Sequence, residues 1–291
     1  MSETKTIGID GAQLSSDETL LKIEHLTHRF GGLQALTDIN VDIKKGTINA
    51  LIGPNGAGKT TVFNLVSGFY VPSEGEIIFD GTRLNGLKPH KIADLQIGRT
   101  FQNIRLWSDM TVLDNICIAQ HSKLGFGIKD VFLKTKKYKA REAEIHKEAW
   151  ELLEKFSLAD KALDYPKNLP YGIQRRVEIA RALSLNPKLL MLDEPAAGLS
   201  TSDLDGLISY IQWIHDTFGI TIWMIEHQMQ VVNTLADNIK VINFGKELAE
   251  GTPEEIQKNP AVIEAYLGNA DISIKDAYPG LPEKRKEKIE A

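Results

Sequence analysis

The 291 residues carry 34 lysines and arginines against 39 aspartates and glutamates, a formal charge of −5. That balance offers no basic stripe for a nucleic-acid groove, and no apolar run approaches the ~18–20 residues of a membrane span. The single cysteine, Cys117, excludes an internal disulfide framework, and with no secretory apolar segment at the start the expected setting is cytosolic.

Residues 1–19 are polar and aperiodic, and a loose tail is expected there. Alternating apolar residues at Leu21, Ile23 and Leu26, then at Ile39, Val41 and Ile43, predict strands of an antiparallel layer. Phe30 ends the first of these, before Gly31-Gly32. It reads either as a turn aromatic or as a platform for a nucleotide base.

An apolar run (Ile48, Ala50, Leu51, Ile52) then meets Gly53-Pro54-Asn55-Gly56-Ala57-Gly58-Lys59-Thr60, and a helical pattern follows from Thr61. In that setting G-x-x-x-x-G-K-[ST] is a phosphate cradle. Its glycines turn backbone N–H groups inward, and the helix adds the positive end of its dipole. Lys59 is placed to reach the β- and γ-phosphates, and the Thr60 hydroxyl to ligate Mg²⁺. A nucleoside triphosphate is the expected ligand.

Turns at residues 72–75 and 80–81 flank a strand at Ile77–Phe79, and a short strand leads into Arg99-Thr100-Phe101-Gln102-Asn103. Gln102 is either a loop glutamine or an amide placed near Mg²⁺ and the attacking water. From about Met110 to Lys167 the chain reads as helical, with one stripe at Ile145, Ala149, Leu152, Leu153 and Phe156. Lys134, Lys136, Lys137 and Lys139 form a solvated face, or else a contact with acidic lipid headgroups.

Leu169-Pro170-Tyr171-Gly172-Ile173-Gln174 feeds a helix expected over Val177–Leu185. The buried run Leu189–Leu192 delivers Asp193 and Glu194 at the carboxyl end of a parallel strand, where open α/β sheets bind ligands. Asp193 fits an outer ligand of Mg²⁺, and Glu194 a general base or orienter for water. A helix expected from Ser202 to about Phe218 has Thr201 or Ser202 as its cap. The next strand ends at Glu226-His227, either a surface histidine or a contact to the γ-phosphate. A hairpin around Gly245-Lys246, a helix opened by Thr252-Pro253 and a charged tail complete the chain.

Taken in order, these pieces resemble the ATP-binding subunit of ABC transporters over nearly all of residues 20–268. The matching segments are an aromatic at Phe30, Walker A at Gly53–Thr60, a Q-loop at Gln102 and a signature at Leu169–Gln174. Walker B at Leu189–Asp193, the base Glu194, a D-loop at Ala197–Ser200 and a switch at His227 follow. A narrower likeness lies in Arg29–Leu33, Arg99–Asn103, Pro195–Leu199 and Ile263–Gly268. It points to the first of two ATPase subunits (LivG-type) of importers for branched-chain amino acids, whose near relatives import urea or amides.

The resemblance implies an α/β P-loop NTPase fold with a RecA-like core, an antiparallel β subdomain and a helical subdomain. The expected divisions are a tail at 1–19, core and β subdomain at 20–101 and 186–252, helical subdomain at 102–185, terminal helices at 253–269 and a tail at 270–291. ATP and Mg²⁺ are the implied cofactors. Nucleotide is held by Phe30, Gly53, Pro54, Asn55, Gly56, Ala57, Gly58, Lys59, Thr60 and Thr61, with Tyr171 and Gly172 facing the partner's nucleotide. Mg²⁺ falls to Thr60, Gln102 and Asp193, and catalysis to Glu194, His227, Gln102 and Lys59. The implied partners are a second ABC ATPase subunit, two transmembrane permeases and, indirectly, an extracytoplasmic binding protein, at the cytoplasmic face of the membrane and without nucleic acid. Leu106, Trp107 and Met110 either receive a permease helix or pack inside the helical subdomain.

Three rivals fit less well. A GTPase needs an Asn-Lys-x-Asp guanine reader, which the sequence lacks. A DNA-repair ATPase needs a long coiled coil between Walker A and the signature. A soluble ABC regulator would have no permease. The signature departs from Leu-Ser-Gly-Gly-Gln, with Pro170 for serine, Tyr171 for glycine and Ile173 for glutamine. Proline supplies neither hydroxyl nor N–H, so the site completed by this segment is expected to turn over slowly. Replacing Pro170→Ser together with Ile173→Gln should raise ATP turnover in the assembled transporter, and an unchanged rate would refute the signature argument.

Overall fold

The computed structural model describes residues 18–120 and 135–267. Residues 1–17 and 268–291, which include most of the two expected tails, lie outside it, as does Lys134.

β1 (Thr19–Phe30) and β2 (Leu33–Lys44) pair antiparallel through the Gly31-Gly32 turn, as the alternation predicted. With β4 (Glu74–Phe79) and β5 (Thr82–Arg83) they form a four-stranded sheet of order β2-β1-β4-β5. The second sheet contains β3 (Ile48–Ile52), β6 (Ile97–Arg99), β7 (Leu189–Asp193), β8 (Thr221–Ile225), β9 (Asn238–Asn243) and β10 (Lys246–Gly251). Its order is β10-β9-β3-β8-β7-β6, parallel except for the β9-β10 hairpin.

Every residue of β3, β7 and β8 is buried, which explains why these strands read as mostly apolar runs rather than alternating ones. One face, with Leu51, Met191, Trp223 and Ile225, packs against α1 (Lys59–Val66) and the antiparallel sheet. The opposite face, with Ala50, Ile52, Leu190 and Leu192, packs against the helical half of the chain. That half holds α3 (Val112–Gln120), α4 (Lys136–Lys155) and α5 (Tyr171–Leu183); a short α2 (Pro89–Asp94) precedes β6. The predicted stripe on α4 points inward at Ile145, Ala149 and Leu153, and continues into Phe156, while Lys136 and Lys139 are exposed.

Two boundaries differ from expectation. α5 starts at Tyr171, well before Val177, because Pro170 presets the entry and its carbonyl accepts from the amides of Ile173 and Gln174. α6 (Thr201–Phe218) starts one residue before Ser202, and its N-cap is Ser200, whose hydroxyl bonds Asp203 at 2.6 Å, rather than Thr201 or Ser202. α7 (Met229–Leu235), α8 (Pro253–Lys258) and α9 (Pro260–Leu267) complete the fold. Thr252 and Glu255 cap α8 reciprocally.

Trp223, on the central strand and 1% exposed, lies 4.7 Å from the Phe63 ring of α1. Trp223→Ala should lower unfolding free energy by about 3–5 kcal/mol in urea titration. It should also loosen α1 and the loop before it.

Candidate active site

The glycine loop leaves the carboxyl end of β3 and turns directly into α1. A Cβ on Gly53 would stand 2.0 Å from the Ile242 carbonyl oxygen, and Gly58 adopts φ 105° at the cap of α1. Neither position admits a side chain. The loop is braced from outside, since the Gly245 amide donates to the Ala57 carbonyl while the Gly245 carbonyl accepts from Thr37. That turn therefore ties the antiparallel layer to the cradle. Lys59 is 6% exposed and folds back on the loop, its Nζ donating to the Gly53 carbonyl at 2.7 Å and the Pro54 carbonyl at 3.0 Å. Burial lowers its pKa against the opposing pull of Glu194 and Asp193, which are close enough to act on it. Asn55, Gly56 and Thr60 face solvent at the mouth.

β6, β7 and β8 end beside this loop. β7 presents Asp193 and Glu194, β8 leads into Glu226 and His227, and β6 runs on to Gln102. Gln102 Nε2 donates to Glu194 Oε2 at 2.7 Å, and His227 Nδ1 lies 3.7 Å from Glu194 Oε1. The Gln102 amide and the His227 ring therefore converge on the Glu194 carboxylate. Glu194 sits at φ 49°, left-handed backbone that a non-glycine residue adopts at a cost of about 1–3 kcal/mol. The surroundings hold it there, for its amide donates to the Ile225 carbonyl at 2.9 Å.

Asp193 carries a contact that the sequence reading did not anticipate. Its Oδ2 accepts from Arg99 Nη2 at 2.8 Å, and both side chains are nearly buried. Arg99 Nη1 also donates to Asn64 Oδ1 and Ser67 Oγ at the back of α1. One guanidinium thus clamps the Walker B strand to the helix of the phosphate loop. Removing one partner of such a buried pair typically costs about 3–5 kcal/mol. The available signal was a charge ending a short buried strand. Glu226 was missed for the same reason. It is fully buried, and it accepts from the amides of Ala196 (2.7 Å), His227 (3.0 Å) and Gln228 (3.2 Å). It pins the loop after Glu194 to the loop bearing His227, and burial raises its pKa.

Thr60, Gln102 and Asp193 offer a hydroxyl, an amide and a carboxylate, a set of hard oxygen donors suited to Mg²⁺. Among the described residues no cluster of three or more His, Cys, Asp or Glu could hold a metal alone.

Phe30 is 42% exposed and is supported edge-on by His28 (4.6 Å) and Tyr70 (5.2 Å), a half-open aromatic surface. Tyr171 and Gly172 form the first turn of α5. The Tyr171 hydroxyl is already engaged, donating to the Ala197 carbonyl at 3.0 Å, and Gln174 turns back to the Leu169 carbonyl. Leu106 packs against the helical core, whereas Trp107 is 49% exposed with the Arg181 guanidinium over its ring.

A parallel sheet with a phosphate loop after its central strand, and an acid pair at the end of a strand one removed, defines a P-loop nucleoside triphosphatase. Comparison with known proteins narrows this. A family model described as ABC transporter matches residues 36–197, and one described as branched-chain amino acid ATP-binding cassette transporter matches residues 246–272. The chain is 45% identical over 251 residues to the branched-chain amino acid transport ATP-binding protein BraF of Pseudomonas aeruginosa, covering 86% of this chain and 98% of that protein. It is 46% identical over 256 residues to LivG of Escherichia coli K12, covering 87% and 99%. The crystal structure of the ADP conformation of MJ1267, an ATP-binding cassette of an ABC transporter, superposes with a TM-score of 0.75 at 29% identity over 87% of this chain and all of that one. The chain belongs to the ABC transporter family as one of its ATP-binding cassettes. No helix of the described residues is long and apolar enough to cross a membrane.

The left-handed backbone at Glu194 yields a sharp expectation. Glu194→Gly should raise unfolding free energy by about 1 kcal/mol, by relieving strain, while removing ATP hydrolysis. Paired urea titration and phosphate-release assays would check both halves.

Proposed function

We propose that this chain hydrolyses ATP to drive an importer of branched-chain amino acids, at the cytoplasmic face of the membrane. It would work with a second ATPase subunit, two permease subunits and an extracytoplasmic binding protein. The observation that carries this reading is the meeting of Gln102, His227 and Glu194 beside Lys59. The naming of relatives as branched-chain amino acid transport ATP-binding proteins supports the cargo.

In this mechanism Phe30 stacks on adenine. The backbone amides of Gly53 and of residues 55–61 wrap the phosphates; Pro54, with no N–H, only shapes the loop. Lys59 leaves the Gly53 and Pro54 carbonyls, to which it is bonded, and transfers its donors to the phosphate chain. Thr60, Gln102 and Asp193 would hold Mg²⁺, directly or through water. The ion, when bound, neutralises charge on the β- and γ-phosphates. Arg99 keeps the Asp193 carboxylate fixed on one side.

Glu194 accepts a proton from the water that attacks the γ-phosphorus; the bond to the β-phosphate oxygen breaks, and ADP and phosphate leave. Gln102 and His227 flank that carboxylate and would sense whether the γ-phosphate is present. Tyr171 and Gly172, at the positive end of α5, would close on the nucleotide of the partner ATPase. Exposed Trp107, beside the Q-loop, is the surface offered to the permease.

Glu194→Gln should retain ATP binding while lowering turnover by about 10²-fold or more. Cells carrying this variant as the sole copy should lose uptake of labelled leucine, isoleucine and valine. Wild-type hydrolysis would remove Glu194 from its role, and unaffected uptake with lost hydrolysis would remove the cargo.

A further inference from the structure

The guanidinium of Arg175 has no part in the scheme above, yet it is the second-largest side chain among those almost fully buried, at 2% exposure. It lies in the second turn of α5 and reaches the segment of Phe101 and Gln102 as well as two side chains of its own helix. Nη1 donates to the Phe101 carbonyl and to Glu178 Oε2, both at 2.8 Å. Nη2 donates to the Gln102 carbonyl and to the Tyr171 hydroxyl, both at 3.0 Å. The Tyr171 hydroxyl in turn donates to the Ala197 carbonyl in the loop after Glu194. Glu178, fully buried, uses its other oxygen to accept from the amides of Phe101 (3.4 Å) and Arg105 (3.2 Å). The segment carrying Gln102 is therefore gripped through its carbonyls by Arg175 and through its amides by Glu178.

A buried ion pair is a weak source of stability, because well-packed apolar residues of similar volume often serve as well or better. What they cannot do is fix the direction of loop carbonyls. Arginine's planar fork can address several acceptors at set angles, where a lysine ammonium cannot. The acceptors here belong to the segment that bears Gln102 and to α5, and the loop leaving Glu194 is reached one bond further on, through the Tyr171 hydroxyl.

We propose that Arg175, with Glu178 as its buried counter-charge, is a positioning residue that sets the Q-loop backbone so that the Gln102 amide meets Glu194. Through Tyr171 it locks the start of α5 to the loop of residues 197–200. Engagement of Tyr171 and Gly172 by a partner's nucleotide is thereby transmitted, within one subunit, to the loop that leaves its own catalytic carboxylate. This inference rests on the ATPase reading above.

The test uses the full chain with three variants, measured beside wild type and Glu194→Gln. The double variant Arg175→Met with Glu178→Leu removes both charges while keeping volume. It should fold, bind ATP within about threefold of wild type and lose about tenfold or more in kcat with little change in KM. Arg175→Lys should fail to restore the rate. Tyr171→Phe, which deletes one hydroxyl, should lower kcat severalfold.

A folded double variant with wild-type kcat would overturn the proposal. Should the double variant not fold, wild-type kcat in Tyr171→Phe would overturn it. The two readings fail differently. An inactive wild-type chain removes the ATPase assignment itself. An active wild type with a dead Glu194→Gln and fully active Arg175 variants removes only the positioning role.

Discussion

Across the central sheet, Leu51 of β3 and Asp193 of β7 both stand level with Ile225 of β8. Three parallel strands therefore end at one height, and a fourth, β6, follows β7 in the same direction. Parallel hydrogen bonding forces the chain to leave each strand on the same side of the sheet. The glycine loop, the acid pair, His227 and the segment of Gln102 are simply what the chain carries at those exits. Register makes the site, because a slip of one residue in β7 would move Asp193 to the other face of the sheet.

Holding charged groups at such a height demands internal partners, since the strands beneath are largely apolar. Arg99 meets Asp193, Arg175 meets Glu178, and Glu226 is satisfied by three backbone amides. Desolvation still dominates at several of these groups. It raises the pKa of Glu178 and Glu226 and lowers that of Arg99 and Lys59. Each partnership also ties one loop to another: Arg99 joins β6 to α1 and β7, Glu226 joins the exits of β7 and β8, and Arg175 joins the Q-loop to α5. A network of this kind, although the Nε atoms of Arg99 and Arg175 are left without a partner among the described residues, specifies one arrangement of loops that apolar packing would leave slack.

Much of this was legible beforehand for local reasons. Glycines at 53, 56 and 58, a lysine and a threonine before a helical pattern define a cradle by backbone conformation and donor chemistry alone. Short, mostly apolar runs at β3, β7 and β8 announce strands buried on both faces. Where reading by residue fell short, neighbours had changed the local rule. α5 was expected to begin at Val177, yet Pro170 and the capping turn of Gln174 on Leu169 start it at Tyr171. The cap of α6 fell on Ser200 because the tight loop after Glu194 consumes the preceding residues. The hydrogen bond from the Tyr171 hydroxyl to the Ala197 carbonyl had no counterpart in the local pattern.

The sequence alone determined which chemistry each segment carries, because glycine content, apolar periodicity and the residue types at strand ends act within a few positions of the chain. Only the tertiary structure decided which of those segments share a pocket. Gln102 and Glu194 are 92 residues apart and meet at 2.7 Å only because β6 pairs with β7 and not with its neighbour in the chain. The partnerships of Arg99, Arg175 and Glu226 were hidden for that reason. A buried charge declares itself in one dimension only as an oddity, and its counterpart is chosen by strand order and helix packing.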